Sequence, residues 1–230
     1  MGKNVSASTY SSGLVTGKIP FGLRQETLVS INQDRLKPGG NFLVDRAIDV
    51  CSFTCNDLVL DIGCGNGMAL AYFKDICGIQ AIGIDPDPDM LKRACSKLKS
   101  AKSSKLIQAK LPYLPLKPGI ANGILCESVL NISNDPASWL AECCRLLKKN
   151  GKLVIIDSYI RKWLPDEHEK GKIKPCKSGT VSMMKMLMRV EKAGFQIDLI
   201  EDHSRLLNQL GPPARDRKEG LTMIIAGKYR

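Results

Sequence analysis

Between residues 58 and 158 short apolar runs alternate with helix-period segments, and this alternation constrains the fold more than any other feature of the chain. Residues 58–62 (Leu-Val-Leu-Asp-Ile) predict a strand that stops at Gly63, and 67–76 predict a helix. A second strand is predicted at 81–85 and a helix at 88–100. Residues 105–109 read as a weak third strand, 120–126 as a fourth, 136–147 as a helix and 152–158 as a fifth strand. Connections long enough to hold a helix imply parallel neighbours, so the expected architecture is an α/β doubly wound, mostly parallel sheet with helices on both faces.

The pattern changes on either side of this block. Residues 1–40 are rich in Ser, Gly and Thr and read as an N-terminal arm with one short helix at 25–33, ending in Pro38-Gly39-Gly40. The arm, with Tyr10 and Phe21, is expected either to close over the site or to be a disordered tail. Residues 41–230 are expected to form the main domain. It opens with a helix to Cys51, capped by the Asn41 side chain and presenting Phe42, Ala47 and Ile48 to the core. Residues 161–179 read as a polar loop and 181–193 as a Met-rich helix closed by Gly194. Strands at 195–201 and 221–228 are separated by a segment containing Gly211-Pro212-Pro213, with no crossover helix, so antiparallel pairing is expected there.

The strongest chemical signal is Leu58-Val-Leu-Asp-Ile-Gly-Cys-Gly-Asn-Gly67. Asp61, Gly63, Cys64, Gly65 and Gly67 lie at the carboxyl end of the first strand, where a doubly wound sheet has its ligand crevice. Glycines there let a ligand approach the backbone. A dinucleotide site would carry G-x-G-x-x-G, but the third glycine comes one residue early and Met68 stands in its place. An acid ahead of the glycines suits a cationic ligand better than a pyrophosphate. Asp85 follows 24 residues after Asp61, where a carboxylate can accept both ribose hydroxyls of an adenosine. Pro86 and Met90 are placed to border the adenine, while Asp87 and Asp89 read as helix cap and first-turn acids.

These two segments, with Leu114–Cys126 and Leu146–Val154, together resemble the class I S-adenosylmethionine (SAM)-dependent methyltransferases over roughly residues 40–160. The resemblance implies a seven-stranded Rossmann-like sheet of order 3-2-1-4-5-7-6 with SAM as cofactor. It implies that Gly63–Gly67 hold the methionine part, Asp85 the ribose, and Lys110 and Leu111 the adenine. Cys126, Glu127 and Ser128 would then lie near the sulfonium. Many members place an acid near the position of Lys110 to bond the adenine amino group, and a lysine cannot accept that bond. Either a backbone carbonyl replaces it, or packing holds the ring. Cys126–Ser133 and Val154–Tyr159 resemble the corresponding segments of the ubiquinone/menaquinone and arsenite methyltransferases, which implies a small-molecule acceptor. The arsenite enzymes carry a thiolate where this chain has Ser128, which argues against arsenic.

Composition trims the alternatives. The formal charge is +11, from 34 basic and 23 acidic residues, and seven basic residues with no acid lie between Lys92 and Lys110. An RNA methyltransferase is therefore an alternative, although the basic run has no interleaved aromatics and residues 126–133 lack an Asn/Asp-Pro-Pro-Tyr segment. A SAM-binding protein without methyl transfer is a further alternative. Nine scattered cysteines suit buried thiols in a reducing, cytoplasmic compartment, and only His168 and His203 could join them at a metal, without ligand spacing; no metal is expected. There is no apolar run of membrane length, and a homodimer is open. Acid–base candidates are Glu127, the leading one, then Asp157, Tyr159 and His168. Asp157 reads rather as orienting a loop, and His203 as exposed.

Overall fold

The structure, a computed structural model, describes residues 41–98, 105–161, 179–210 and 219–229. Tyr10, Phe21, the helix expected at 25–33, His168 and Gly211-Pro212-Pro213 lie outside these residues.

Seven strands form one sheet: β1 (Leu58–Ile62), β2 (Gln80–Asp85), β3 (Lys105–Gln108), β4 (Ala121–Glu127), β5 (Leu147–Ile160), β6 (Gln196–Asp202) and β7 (Glu219–Gly227). Their order is β3-β2-β1-β4-β5-β7-β6, as the resemblance implies. β1 to β5 run parallel, while β7 is antiparallel to both β5 and β6. Among the described residues the α-helices are α1 (Phe42–Cys51), α2 (Met68–Asp75), α3 (Pro88–Lys97), α4 (Pro136–Leu146) and α5 (Met183–Lys192).

Each face of the sheet carries its own core. One buries Leu43, Ala47, Leu70 and Phe73 from α1 and α2 against Val59, Val154 and Ile225. The other buries Trp139, Leu140 and Leu146 of α4 with Met186 and Val190 of α5 against Ile124, Leu153 and Ile224. β7 lies between β5 and β6, and from Gly220 to Gly227 it is buried on both faces. That is why it reads as a continuous apolar run. β6, at the sheet edge, alternates exposed and half-buried residues.

Local chemistry sets most helix ends. Asp87 accepts the amides of Asp89 and Met90 at the start of α3, with Pro88 in the first turn. Asp135 accepts from Ser138 N at the start of α4, also ahead of a proline. Gly194, at φ +91°, follows α5 as expected.

One expectation at α1 fails. Asn41 sits at the N-cap, yet its side chain makes no capping bond; it is buried, and only its carbonyl serves the helix, accepting from Asp45 N at 2.9 Å. The buried stripe is Leu43, Val44, Ala47 and Ile48, with Phe42 half-buried at its margin, edge-on to His203. His203 is accordingly half-buried, not exposed, and bonds Glu201 at 2.9 Å, which also takes Arg46 at 2.7 Å.

β5 also starts earlier than its apolar run suggests. It follows α4 without a linker, and pairing with β4 shifts register between Ala121 and Gly123. Asn150 takes φ +64° in this irregular entry, and its amide donates to Lys228 O at 2.7 Å. The Lys228 ammonium donates to Cys144 O and Leu147 O, so a residue from the far end of the chain caps α4.

Candidate active site

The strand ends decide where a ligand can sit. At the carboxyl edge of β1, β2 and β4 a cavity of about 400 Å³ opens, walled by the turns after these strands, by the 109–112 segment and by the start of α4.

The β1 turn hangs on β2: Gly63 N and Cys64 N both donate to Ile84 O, at 2.8 and 3.1 Å. Its three glycines have positive φ, yet each is there for a different reason. A Cβ at Gly63 would lie 2.3 Å from Val129 Cγ2, so this position lets the β4 turn close in. A Cβ at Gly67 would lie 2.9 Å from Ala94 Cβ, so this one lets α3 approach α2. A Cβ at Gly65 would meet nothing within 4 Å, which leaves open space over the middle of the turn.

Asp85 ends β2 and is only 8% exposed. One carboxylate oxygen accepts Gly65 N and the other Asp87 N, each at 2.9 Å. The carboxylate therefore ties the β1 turn to the start of α3. Each oxygen keeps a further lone pair for a ligand hydroxyl.

Seven of the residues singled out in the sequence line this cavity: Gly63, Asp85, Pro86, Lys110, Leu111, Glu127 and Ser128. Ser128 takes φ +59° at the exit from β4, its amide held by Ile156 O at 2.8 Å. Lys110 is exposed and Leu111 half-buried. Asp61, Cys64, Gly65, Gly67, Met90 and Cys126 are not in the wall. Cys64 packs into the core, where its sulfur would lie 2.9 Å from a Cβ at Gly83. Cys126 is fully buried on the α4 face of β4. Burial first, and then the neighbouring Cys143, push its thiol well above the usual range, and the Asp61 and Asp157 carboxylates add to this. An inert, protonated thiol is the result. Burial likewise pushes Cys51 up to about 12, away from the thiolate a metal would need.

Of the remaining acid–base candidates, Asp157 and Tyr159 have structural partners. Asp157 is buried and accepts from Asn131 N, Asn131 Nδ2 and Ser158 N at 3.2, 2.9 and 2.8 Å. It orients the turn after β4, as its loop-ordering role in the sequence suggests. Burial, the largest effect, raises its carboxyl above the ordinary value against these bonds. Tyr159 donates to Asp202 at 2.9 Å, and the same Asp202 accepts from Ser204 Oγ.

The wall also contains residues the sequence left unassigned: Val129, Ile132, Ser133, Asn134, Asp135 and Trp139. Ser133-Asn134-Asp135-Pro136 is a turn-and-cap signature, and it marks only where α4 begins. That the connection folds back over the crevice depends on Asn131 reaching Asp157, 26 positions away.

Comparison with known proteins fits this geometry. Residues 60–155 match the family profile of a methyltransferase domain. An uncharacterized methyltransferase of Bacillus subtilis (strain 168), YodH, is 32% identical over 136 residues, covering 58% of this chain and 57% of that protein. The ubiquinone biosynthesis O-methyltransferase of Thiobacillus denitrificans is 32% identical over 110 residues, 46% of each chain. The chain thus spans about half the length of the curated relatives it matches. Haemonchus contortus phosphoethanolamine N-methyltransferase 2, solved in complex with S-adenosyl-L-methionine, superposes with a TM-score of 0.73 at 16% identity, over 89% of this chain and 56% of that one. Residues 60–155 are thus similar to a methyltransferase domain, and the sheet has the Rossmann-like fold of the methyltransferase on which it superposes.

Proposed function

We propose that this protein binds SAM in the cavity beside β1, β2 and β4 and transfers its methyl group to a small organic acceptor. The observation that carries this reading is the charge of the wall. Asp85, Glu127 and Asp135 stand there against Lys110 alone, in a chain whose formal charge is +11. Three carboxylates and one ammonium attract a sulfonium and an α-ammonium; they repel the pyrophosphate of a dinucleotide or the phosphates of RNA.

The open space over Gly65 accommodates the amino-acid end against the backbone. Asp85 offers its remaining lone pairs to the ribose hydroxyls. Pro86 and Leu111 border the adenine, and Lys110 contributes backbone and stem rather than an acceptor. When bound, the cofactor supplies a methyl carbon made electrophilic by the sulfonium. The protein then has to align the acceptor and exclude water, and alignment alone supplies much of the acceleration. Glu127, at the end of β4, either holds the cofactor's ammonium or takes a proton from the acceptor. Glu127→Gln separates these roles: the first predicts weaker SAM binding, the second an unchanged Kd with a lower kcat and an altered pH profile.

Likeness to relatives named for O-methylation in ubiquinone biosynthesis favours a small acceptor. A cytoplasmic setting accords with the eight described cysteines, all free thiols. Among the described residues no helix is long and apolar enough to cross a membrane. The test is calorimetry with SAM and with S-adenosylhomocysteine, followed by labelled SAM in cell extract fractionated by size. Binding of both and label in the small-molecule fraction are expected. No binding, displacement by a dinucleotide, or label entering RNA would overturn the reading.

A further inference from the structure

The connection between β3 and β4, residues 109–120, has no helix or strand of its own. Its first four residues, Ala109 to Pro112, line the cavity. A twelve-residue segment of this kind holds a shape only if something fastens it.

The fastening comes from α4. Glu142, 9% exposed, accepts Leu114 N at 3.1 Å. Arg145 donates to Leu116 O at 2.9 Å and to Leu114 O at 3.3 Å, and its own carbonyl accepts Gly119 N at 2.9 Å. The two side chains are joined by a two-pronged ion pair, with nitrogen–oxygen distances of 2.6 and 2.7 Å. Glu142 is held below the ordinary carboxyl range, chiefly by Arg145. Leu114 is buried beneath this network.

The same helix forms part of the cavity. Trp139 lines it, and Glu142 and Arg145 follow at successive three-residue steps along α4. One rigid element therefore both contributes to the cavity and clamps the connection that forms another of its walls.

We propose that Arg145, with Glu142, is a positioning residue that fixes the Lys110–Pro112 wall in place before ligand arrives, so that the adenosine end meets a preformed surface. Neither residue of the pair is in the cavity wall itself. The proposal rests on the SAM reading above for the identity of the ligand. Preorganisation of this kind acts on affinity rather than on chemistry. A lysine at 145 keeps the charge but cannot make the planar fork that bonds a carboxylate and two carbonyls together.

The test uses the full chain and three variants, Arg145→Lys, Arg145→Ala and Glu142→Gln. Amide hydrogen exchange without ligand reads the tether: the Leu114 and Gly119 amides should exchange at least about tenfold faster in Arg145→Lys, because the bonds that the guanidinium donates to Leu116 O and Leu114 O, which resist opening of the connection, are weakened. Calorimetry with S-adenosylhomocysteine and with adenosine alone reads the consequence. Both should lose affinity by the same factor, about tenfold, with binding stoichiometry retained. In turnover, KM for SAM should rise while kcat at saturating SAM stays within about twofold. Unchanged exchange at Leu114 and Gly119 would overturn the proposal. So would an unchanged Kd in the folded fraction of Arg145→Lys beside a lowered melting temperature, because that describes a merely stabilising pair. If Arg145→Ala does not fold, the other two variants decide. A wild-type protein that binds neither compound would sink the SAM reading instead, and the exchange arm would still judge the tether.

Discussion

The two halves of the sheet end in similar residues and use them differently. At the carboxyl ends of β2 and β4, Asp85 and Glu127 face the cavity. At the carboxyl ends of β5 and β6, Asp157, Tyr159 and Asp202 face the protein's own backbone and one another. Asp157 holds the turn after β4, and Tyr159 and Ser204 share Asp202. A polar side chain at a strand end is thus a candidate for ligand binding only where it lines the cavity. The second half is the scaffold that aims the first.

This contrast can be broken at several points. The largest effect is expected from Gly63→Ala, which combines φ +76° with a Cβ 2.3 Å from Val129 Cγ2. Stability should fall by about 3 kcal/mol in urea unfolding, from left-handed strain plus overpacking. Val129→Ala in the same chain should restore the steric part but not the strain. A mild effect would mean the β1 and β4 turns are not mutually fitted.

Asp85→Asn comes next. Its carboxylate serves two backbone amides, and an amide oxygen can replace only one of its two oxygens. Affinity for S-adenosylhomocysteine should fall about 100-fold, the scale of charge-assisted bonds lost. Asp157→Asn, by contrast, reaches the cavity only through Asn131 and the turn after β4, and should cost less, about tenfold, the scale of one hydrogen bond. Equal losses in the two variants would erase the distinction between the halves.

Tyr159→Phe should cost about 1 kcal/mol of stability, the net value of one hydrogen bond, with no change in ligand affinity. A change in affinity would move the tyrosine from scaffold to site.

The smallest effect concerns pH. Arg46 holds the Glu201 carboxyl below its ordinary value, with His203 contributing less. Glu201 therefore adds stability at pH above the unfolded glutamate range, and this is lost as pH falls through its lowered folded value. Glu201→Gln should flatten that acid limb and cost under about 1 kcal/mol at neutral pH, because Arg46 is 41% exposed. Asp157 works in the opposite sense: burial raises its carboxyl, so its contribution weakens as pH rises from the unfolded value toward the folded one. Asp157→Asn should remove this opposing slope from unfolding curves measured upward from the ordinary aspartate value, about pH 4.

Much of the first half was legible in the chain because its chemistry is short-range. The glycine turn, Asp85 at a strand end, and the cap Asp87 each depend on neighbours within a few residues. The resemblance to class I methyltransferases supplied the strand order, which the structure bears out. The rest was hidden by partners far away in sequence. Asn41 reads as a side-chain cap but is buried at α1 without making that bond. His203 reads as exposed but is covered by Phe42 and bonded to Glu201. Cys64 and Cys126 lie within the right motifs, yet their side chains enter the core.

By itself, then, the sequence determined the alternation of strands and helices, the ligand-approachable turn after β1 and the acid after β2, because backbone conformation and capping answer to adjacent residues. Only the tertiary structure decided which polar groups reach the cavity. It brought Glu127, Asp135 and Lys110 to one cavity, spent Asp157 and Tyr159 on internal bonds, and tied the 109–120 connection to α4. The physical reason is that a buried polar group must find a partner wherever the fold puts one, and that choice is made across the whole sheet rather than along the chain.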